Sequence, residues 1–320
     1  MKKSVIGILS VLIVLMLSFT ACSREFVDLL LPNKASEGLE FVSNSDGSCI
    51  VTGLGTCEDR DVVIPNKSPT GDYVTSIGDY AFDHCTGLTS ITIPDSVTSI
   101  GEAAFFCCTD LTSITIPNGV TSVGEGVFAG CTELTSINVD ADNPVYHSSS
   151  NCLIETASKN LIAVCQTSVI PSDGSVTSIG RGAFAHCYGL TSITVPDSVT
   201  SIGEAAFFCC TDLTSITMSD SVTSIGDGAF AACSRLTSIT IPNGLTNIGV
   251  GTFLECPSLT SATIPDSVKS IGSSAFEGCT GLTDVYYFGT EEEWAAITIG
   301  SDNEHLTNAT IHYNWTGEES

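Results

Sequence analysis

Apolar and polar positions alternate in short stretches along this chain. In Leu88-Thr89-Ser90-Ile91-Thr92-Ile93, Ile91 and Ile93 fall on one side and Thr92 on the other. Alternation of β-branched residues with period two predicts an extended strand with one buried face. Pro94 stops the strand, and Asp95-Ser96 predicts a turn. Val97 to Ile100 then reads as a second, shorter extended piece. A longer rhythm is superposed. A glycine after an apolar residue returns at Gly78, Gly101, Gly124, Gly180, Gly203, Gly226, Gly249 and Gly272, every gap being 23 residues except one of 56. These glycines are expected to hold a backbone angle that other residues resist. Phe82, Phe105, Phe128, Phe184, Phe207, Phe230, Phe253 and Phe276 keep the same phase, as do Cys85, Cys108, Cys131, Cys187, Cys210, Cys233, Cys256 and Cys279. Each phenylalanine is expected on a short helical or 3₁₀ turn, pointing inward.

A unit of this length cannot bury its apolar face alone, so neighbours must stack into a continuous core. Strands stacked in register form a parallel sheet with about 4.8 Å between neighbours. The unit, seen in Leu111-x-x-Ile114-x-Ile116 … Val120-x-x-Val123-Gly124-x-x-Val127-Phe128-x-x-Cys131, resembles the BspA-like, or Treponema pallidum-type, leucine-rich repeat. The resemblance runs over roughly residues 38 to 313 and implies an α/β repeat solenoid, capped at both ends, with a parallel β-sheet on the concave face. It also implies that the hydroxylated strand column lines that face: Thr92, Thr115, Asn138, Thr194, Thr217, Thr240, Thr263 and Tyr286. Such a face is the usual binding surface of a repeat array. Threonine also simply suits an exposed strand.

The departures from the period carry their own content. The 56-residue gap equals one unit plus an irregular one, in which Cys152-Leu153-Ile154, a polar turn, and Leu161 to Val164 predict a hairpin. Pro94 to Thr115 is identical to Pro196 to Thr217, the mark of a duplication. Thr290 with Glu293 predicts a capped helix start, and Trp294 is expected to cover the last coil's open core.

Met1-Lys2-Lys3 followed by an apolar run to Phe19 and Thr20-Ala21-Cys22 has the order of an export signal. A small residue before Cys22 resembles a bacterial lipobox, which implies cleavage there and lipidation of Cys22. The expected organisation is a signal peptide at 1–21, a tether at 22–37, a cap unit at 38–74, repeats at 75–283 with the irregular unit near 140–172, and a second cap at 284–320.

Composition narrows the function classes. Ten Lys and Arg against 36 Asp and Glu give a formal charge of −26, which repels nucleic acid. With 42% hydrophobic and 14% charged residues the chain is too apolar for a disordered acidic tail. Fifteen cysteines in an exported chain raise disulfides, with Cys152–Cys165 and Cys49–Cys57 the best-placed pairs. The repeat cysteines instead read as a ladder of buried thiols, because parallel side chains in successive coils fit disulfide torsions poorly. Cys107 and Cys209, adjacent to ladder positions, are expected at the surface. Carboxylates after the repeat glycine (Asp79, Glu102, Glu125, Glu204, Asp227) suit solubility and capping, although stacked carboxylates also attract Ca²⁺. Arg181 interrupts that column and relieves its repulsion. His84 and His186 are expected to point outward. No G-x-S-x-G, H-E-x-x-H or P-loop occurs, so neither an enzyme nor a cofactor is expected. The resemblance implies a surface lipoprotein that binds a protein ligand, in host extracellular matrix or on another cell. A spacer with no cognate ligand is the alternative.

Overall fold

A computed structural model describes residues 34–317, so the expected signal peptide, Cys22 and most of the expected tether lie outside the described residues. The chain enters through β1 (Glu40–Ser43), β2 (Ser48–Gly53), β3 (Asp61–Val63) and β4 (Tyr73–Ile77). Coils then alternate long and short strands: β5 (Ser90–Thr92), β6 (Ser99–Ile100), β7 (Ser113–Ile116), β8 (Ser122–Val123) and β9 (Ser136–Val139). The irregular unit supplies β10 (Tyr146–Ser149), β11 (Cys152–Glu155) and β12 (Asn160–Ala163). The alternation resumes with β13 (Ser178–Ile179), β14 (Ser192–Val195), β15 (Ser201–Ile202), β16 (Ser215–Met218) and β17 (Ser224–Ile225). It continues through β18 (Ser238–Thr240), β19 (Asn247–Ile248), β20 (Ser261–Ile264) and β21 (Ser270–Ile271). The chain ends in β22 (Asp284–Tyr287), α1 (Glu291–Ala295), β23 (Thr298–Ile299), α2 (Glu304–Thr307) and β24 (Thr310–His312).

Each coil pairs in parallel with the next at an offset of one unit, for example Ser192↔Ser215 and Thr194↔Thr217. The fold is a β-solenoid of 23-residue units. Among the described residues the helices are confined to the C-terminal segment, and the repeating coils close through turns. The expected helical or 3₁₀ turn around the phenylalanine does not form. Two left-handed residues per coil, such as Ala205 at φ 50 and Cys209 at φ 58, break helical continuity. The repeat glycines correct a second expectation, since none of the eight has positive φ. Their role is close approach: a Cβ on Gly226 would lie 2.4 Å from the Glu204 nitrogen of the preceding coil.

The core is not continuous. It falls into two clusters, one from Leu39 to Ile137 and one from Val176 to Leu306, with the irregular unit between them. Strand alternation divides β11, where Cys152 and Ile154 join the second core and Leu153 the first. In β12 a register shift against β11 sends Leu161 to the second core and Ala163 to the first. The predicted hairpin is present as β11 antiparallel to β12, and β10 adds a third strand on its other side. The N-terminal hairpin pairs β1 with β2. At the far end Thr290 and Glu293 form both bonds of the capping box, and Trp294 meets Tyr287 edge-on at 5.1 Å.

Candidate functional site

The eight phenylalanines are all buried and stack from coil to coil, with centroids 5.4 Å apart for Phe82–Phe105 and 4.7 Å for Phe184–Phe207. Among the described residues no such contact joins Phe128 to Phe184, where the irregular unit intervenes. The thiols do more than fill space. Cys108, Cys131, Cys210, Cys233, Cys256 and Cys279 each donate to the carbonyl of the previous coil's phenylalanine, at 3.0–3.2 Å. The same carbonyl commonly accepts the backbone N–H of its own coil's cysteine, as Phe207 does from Cys210 at 3.2 Å, so the thiol adds a second donor from the next coil. Cys85 and Cys187 depart from the expected burial and are half-buried, because each heads its stack and has no phenylalanine carbonyl to reach. Asn303 takes a comparable place in the C-terminal segment. It is buried, accepts from the Phe276 N–H at 3.0 Å and donates to the Gly272 carbonyl at 2.9 Å. Burial raises the Cys233 and Cys279 thiols to about 12.

All fourteen described cysteines are free. Cys152 and Cys165 turn their sulfurs to the carbonyls of Val169 and Asn151. Cys49 is buried against the Asp72 carbonyl, and Cys57 is half-buried. Cys107 and Cys209 are half-buried rather than freely exposed.

Two threonine columns with different chemistry follow the coils, one immediately before the long strands and one within them. Thr112, Thr135, Thr214, Thr237, Thr260 and Thr283 each donate to the backbone carbonyl of the threonine one coil earlier, at 2.9–3.3 Å. The column at Thr92, Thr115, Thr194, Thr217, Thr240 and Thr263 makes no hydroxyl hydrogen bond among the described residues, and all but half-buried Thr263 are exposed. Asn138 is exposed in the same column and bonds Ser136 at 3.2 Å. Register continues the row from Thr263 to Tyr286 and on to His312. Tyr286 stacks on His312 at 4.8 Å and leans on Trp315 at 4.5 Å. His312 bonds Asp284 at 2.7 Å, which together with the Thr283 hydroxyl holds the Asp284 carboxyl below its usual range. His312 and Trp315 escaped the sequence reading because they lie beyond the last regular unit. Only the register of β24 beside β22 brings them to this face.

The carboxylate column works as a cap. Asp79 accepts from the Glu102 N–H, and Asp227 from the Val250 N–H, both at 2.8 Å. Arg181 binds Glu125 at 3.0 Å and Glu204 at 3.1 Å, joining the two blocks. His84 is exposed, but His186 is half-buried among aromatic neighbours, donating to or accepting from the Tyr188 hydroxyl at 2.7 Å. Beside it a cleft of about 290 Å³ opens between Phe128–Thr132, Val164–Ser168 and His186–Ser192.

Among the described residues no group of three or more His, Cys, Asp or Glu side chains is placed to hold a metal ion. The histidine partners are carboxylates and hydroxyls (Asp83, Thr156, Tyr188, Asp284), never a thiol. A nucleophile needs a base in hydrogen-bond reach and an orienting third group.

Several solved structures share this architecture. A leucine-rich cell surface protein from Faecalibacterium prausnitzii is 27% identical, with 84% of this chain and 98% of that chain covered and a TM-score of 0.58. A leucine-rich repeat protein from Eubacterium ventriosum is 19% identical, over 89% and 95% of the two chains, at a TM-score of 0.56. The pneumococcal vaccine antigen PcpA is 20% identical over 77% of this chain and 56% of its own, at a TM-score of 0.51. No curated protein matches the chain. The family description "BspA type leucine rich repeat region" matches residues 60–173 and 155–283, in six copies. With its coils, thiol ladder and strand columns accounted for, the chain belongs to the BspA-type leucine-rich repeat family.

Proposed function

We propose that this protein is a cell-surface binding protein that engages protein ligands through the row from Thr92 to Tyr286. One observation carries this reading. Six threonine hydroxyls have no hydrogen-bond partner among the described residues, with Thr194↔Thr217 and Thr240↔Thr263 in register, while six threonines of the adjacent column donate to the coil before. A preformed row of free donors and acceptors costs little ordering entropy to engage. The likeness to a protein described as a leucine-rich cell surface protein supports the location. Adhesion to host matrix or to another cell is the finer form of this proposal, and lipid on Cys22 is its means of attachment.

The test is direct. Thr194→Arg with Thr217→Arg places two bulky cations in the middle of the row. Binding of the protein to immobilised host-matrix proteins or whole neighbouring cells should fall at least ten-fold, with the thermal transition unchanged. Undiminished binding would refute the row as the contact surface. Separately, Cys22→Ala should move the protein from the membrane fraction to the soluble one; an unchanged distribution removes the anchor.

A further inference from the structure

The seam between the two repeat blocks forms a groove of about 280 Å³ on the turn face, distinct from the threonine row. Elsewhere on this face each turn donates backbone bonds to the next: Ala103 N–H to the Glu125 carbonyl at 2.9 Å, and Gly182 N–H to Glu204 at 3.1 Å. Among the described residues no such bond crosses from the 125–131 turn to the 181–187 turn. The floor there is Gly126, Ala129, Gly182 and Ala185, and the walls are Phe106 and His186. Phe106 meets His186 edge-on at 5.0 Å, and His186 meets Phe208 at 5.3 Å. Phe106 and Phe208 are equivalent positions of the duplicated stretch, so the duplication places one phenylalanine on each side of the seam. Regular coils carry Ala231, Leu254 or Glu277 at that position. Phe208 is 37% exposed and Tyr80, at the groove's end, 53% exposed.

The rim is acidic. Glu102 accepts from the Tyr80 hydroxyl at 3.1 Å, and Glu125 lies beyond it. Arg181, the one Lys or Arg of the lining, is itself held between Glu125 and Glu204, which leaves Glu102 as the unneutralised carboxylate of the rim. An apolar floor, aromatic walls and a carboxylate mouth match a side chain with a hydrocarbon stem and a cationic head. We propose that this groove takes a lysine side chain presented by an extended basic polypeptide segment, its stem on the glycine–alanine floor and its ammonium between Phe106, Tyr80 and Glu102. A second copy of this chain is disfavoured as occupant, because both surfaces carry the same strong negative charge.

The experiment uses the full chain in non-ionic detergent, with an acetylated, amidated hexalysine peptide as probe and calorimetry at two salt concentrations. Binding that weakens with salt, and about five-fold in each of Phe106→Leu and Glu102→Gln, is expected from exposed cation–π and ion-pair contacts. Phe106→Leu keeps apolar bulk while removing the π face, so loss of folding does not confuse the result. Thr194→Arg with Thr217→Arg should leave this binding intact. Three results would overturn the proposal. They are no binding by the unaltered chain, equal affinity in Phe106→Leu, which means adsorption to the acidic surface at large, and equal affinity for hexaglutamine.

Discussion

At the scale of single residues, the thiols of six of the eight repeat cysteines carry two duties, apolar filling and a hydrogen bond to a phenylalanine carbonyl. Cys233→Ala removes both at an interior coil, where the sulfur lies 3.2 Å from the Phe207 carbonyl. A loss of roughly 1–3 kcal/mol is expected from the lost packing and the lost hydrogen bond together, read from the midpoint of chemical unfolding. Titration gives an independent check. Burial raises Cys233 and Cys279 from an ordinary value of 9.0 to about 12. The native state therefore favours the neutral thiol, and this stabilisation is complete below pH 9.0 and is lost as pH rises toward 12. The unfolding midpoint should be level between pH 7 and 8.5 and fall steadily above 9; a flat profile to pH 11 would contradict burial of the ladder. The hydroxyls differ by environment alone. Thr214, just before β16, and Thr217, within it, are the same residue three positions apart, yet the first is bonded and the second is not.

At the scale of elements, the coil depends on how closely successive turns approach. A Cβ on Gly226 would sit 2.4 Å from a backbone nitrogen, whereas one on Gly87 would meet nothing within 4 Å. Gly226→Ala should cost about 1–3 kcal/mol through displaced backbone, and Gly87→Ala should be neutral or stabilising by up to about 1 kcal/mol. Equal effects in parallel unfolding curves would remove the close-approach account. Thr290→Ala breaks the capping box of α1 and is expected to cost about 1 kcal/mol. Strands, turns, hairpin and box were all legible beforehand, since each rests on local rules of alternation and capping. The glycine's role and the missing helical turn were not legible. Both depend on the neighbouring coil's backbone, which no single unit contains.

At the scale of the whole described molecule, the irregular unit acts as a partition. Its strands send Cys152 and Ile154 to one core and Leu153 to the other. Arrays of this kind hold together through nearest-neighbour interfaces, and an altered interface is where cooperativity weakens. Amide hydrogen exchange should therefore resolve two units, residues near 49–137 and near 176–287, with different opening free energies. Leu153→Ala should speed exchange more in the first unit than in the second. A single uniform exchange class would show that the partition transmits cooperativity undiminished.

Periodicity alone determined that the chain stacks 23-residue coils with buried Phe and Cys rows, because 2-fold strand alternation and an invariant repeat leave one way to bury those columns. The split of the core, the donor role of the thiols, the contrast between bonded and free threonines, and the meeting of Phe106, His186 and Phe208 across the seam were decided only by tertiary structure. Each of these joins residues from different coils. The bonds between coils follow from how closely successive turns approach, and the seam contact from how the irregular unit sets one block against the other, quantities no local pattern encodes.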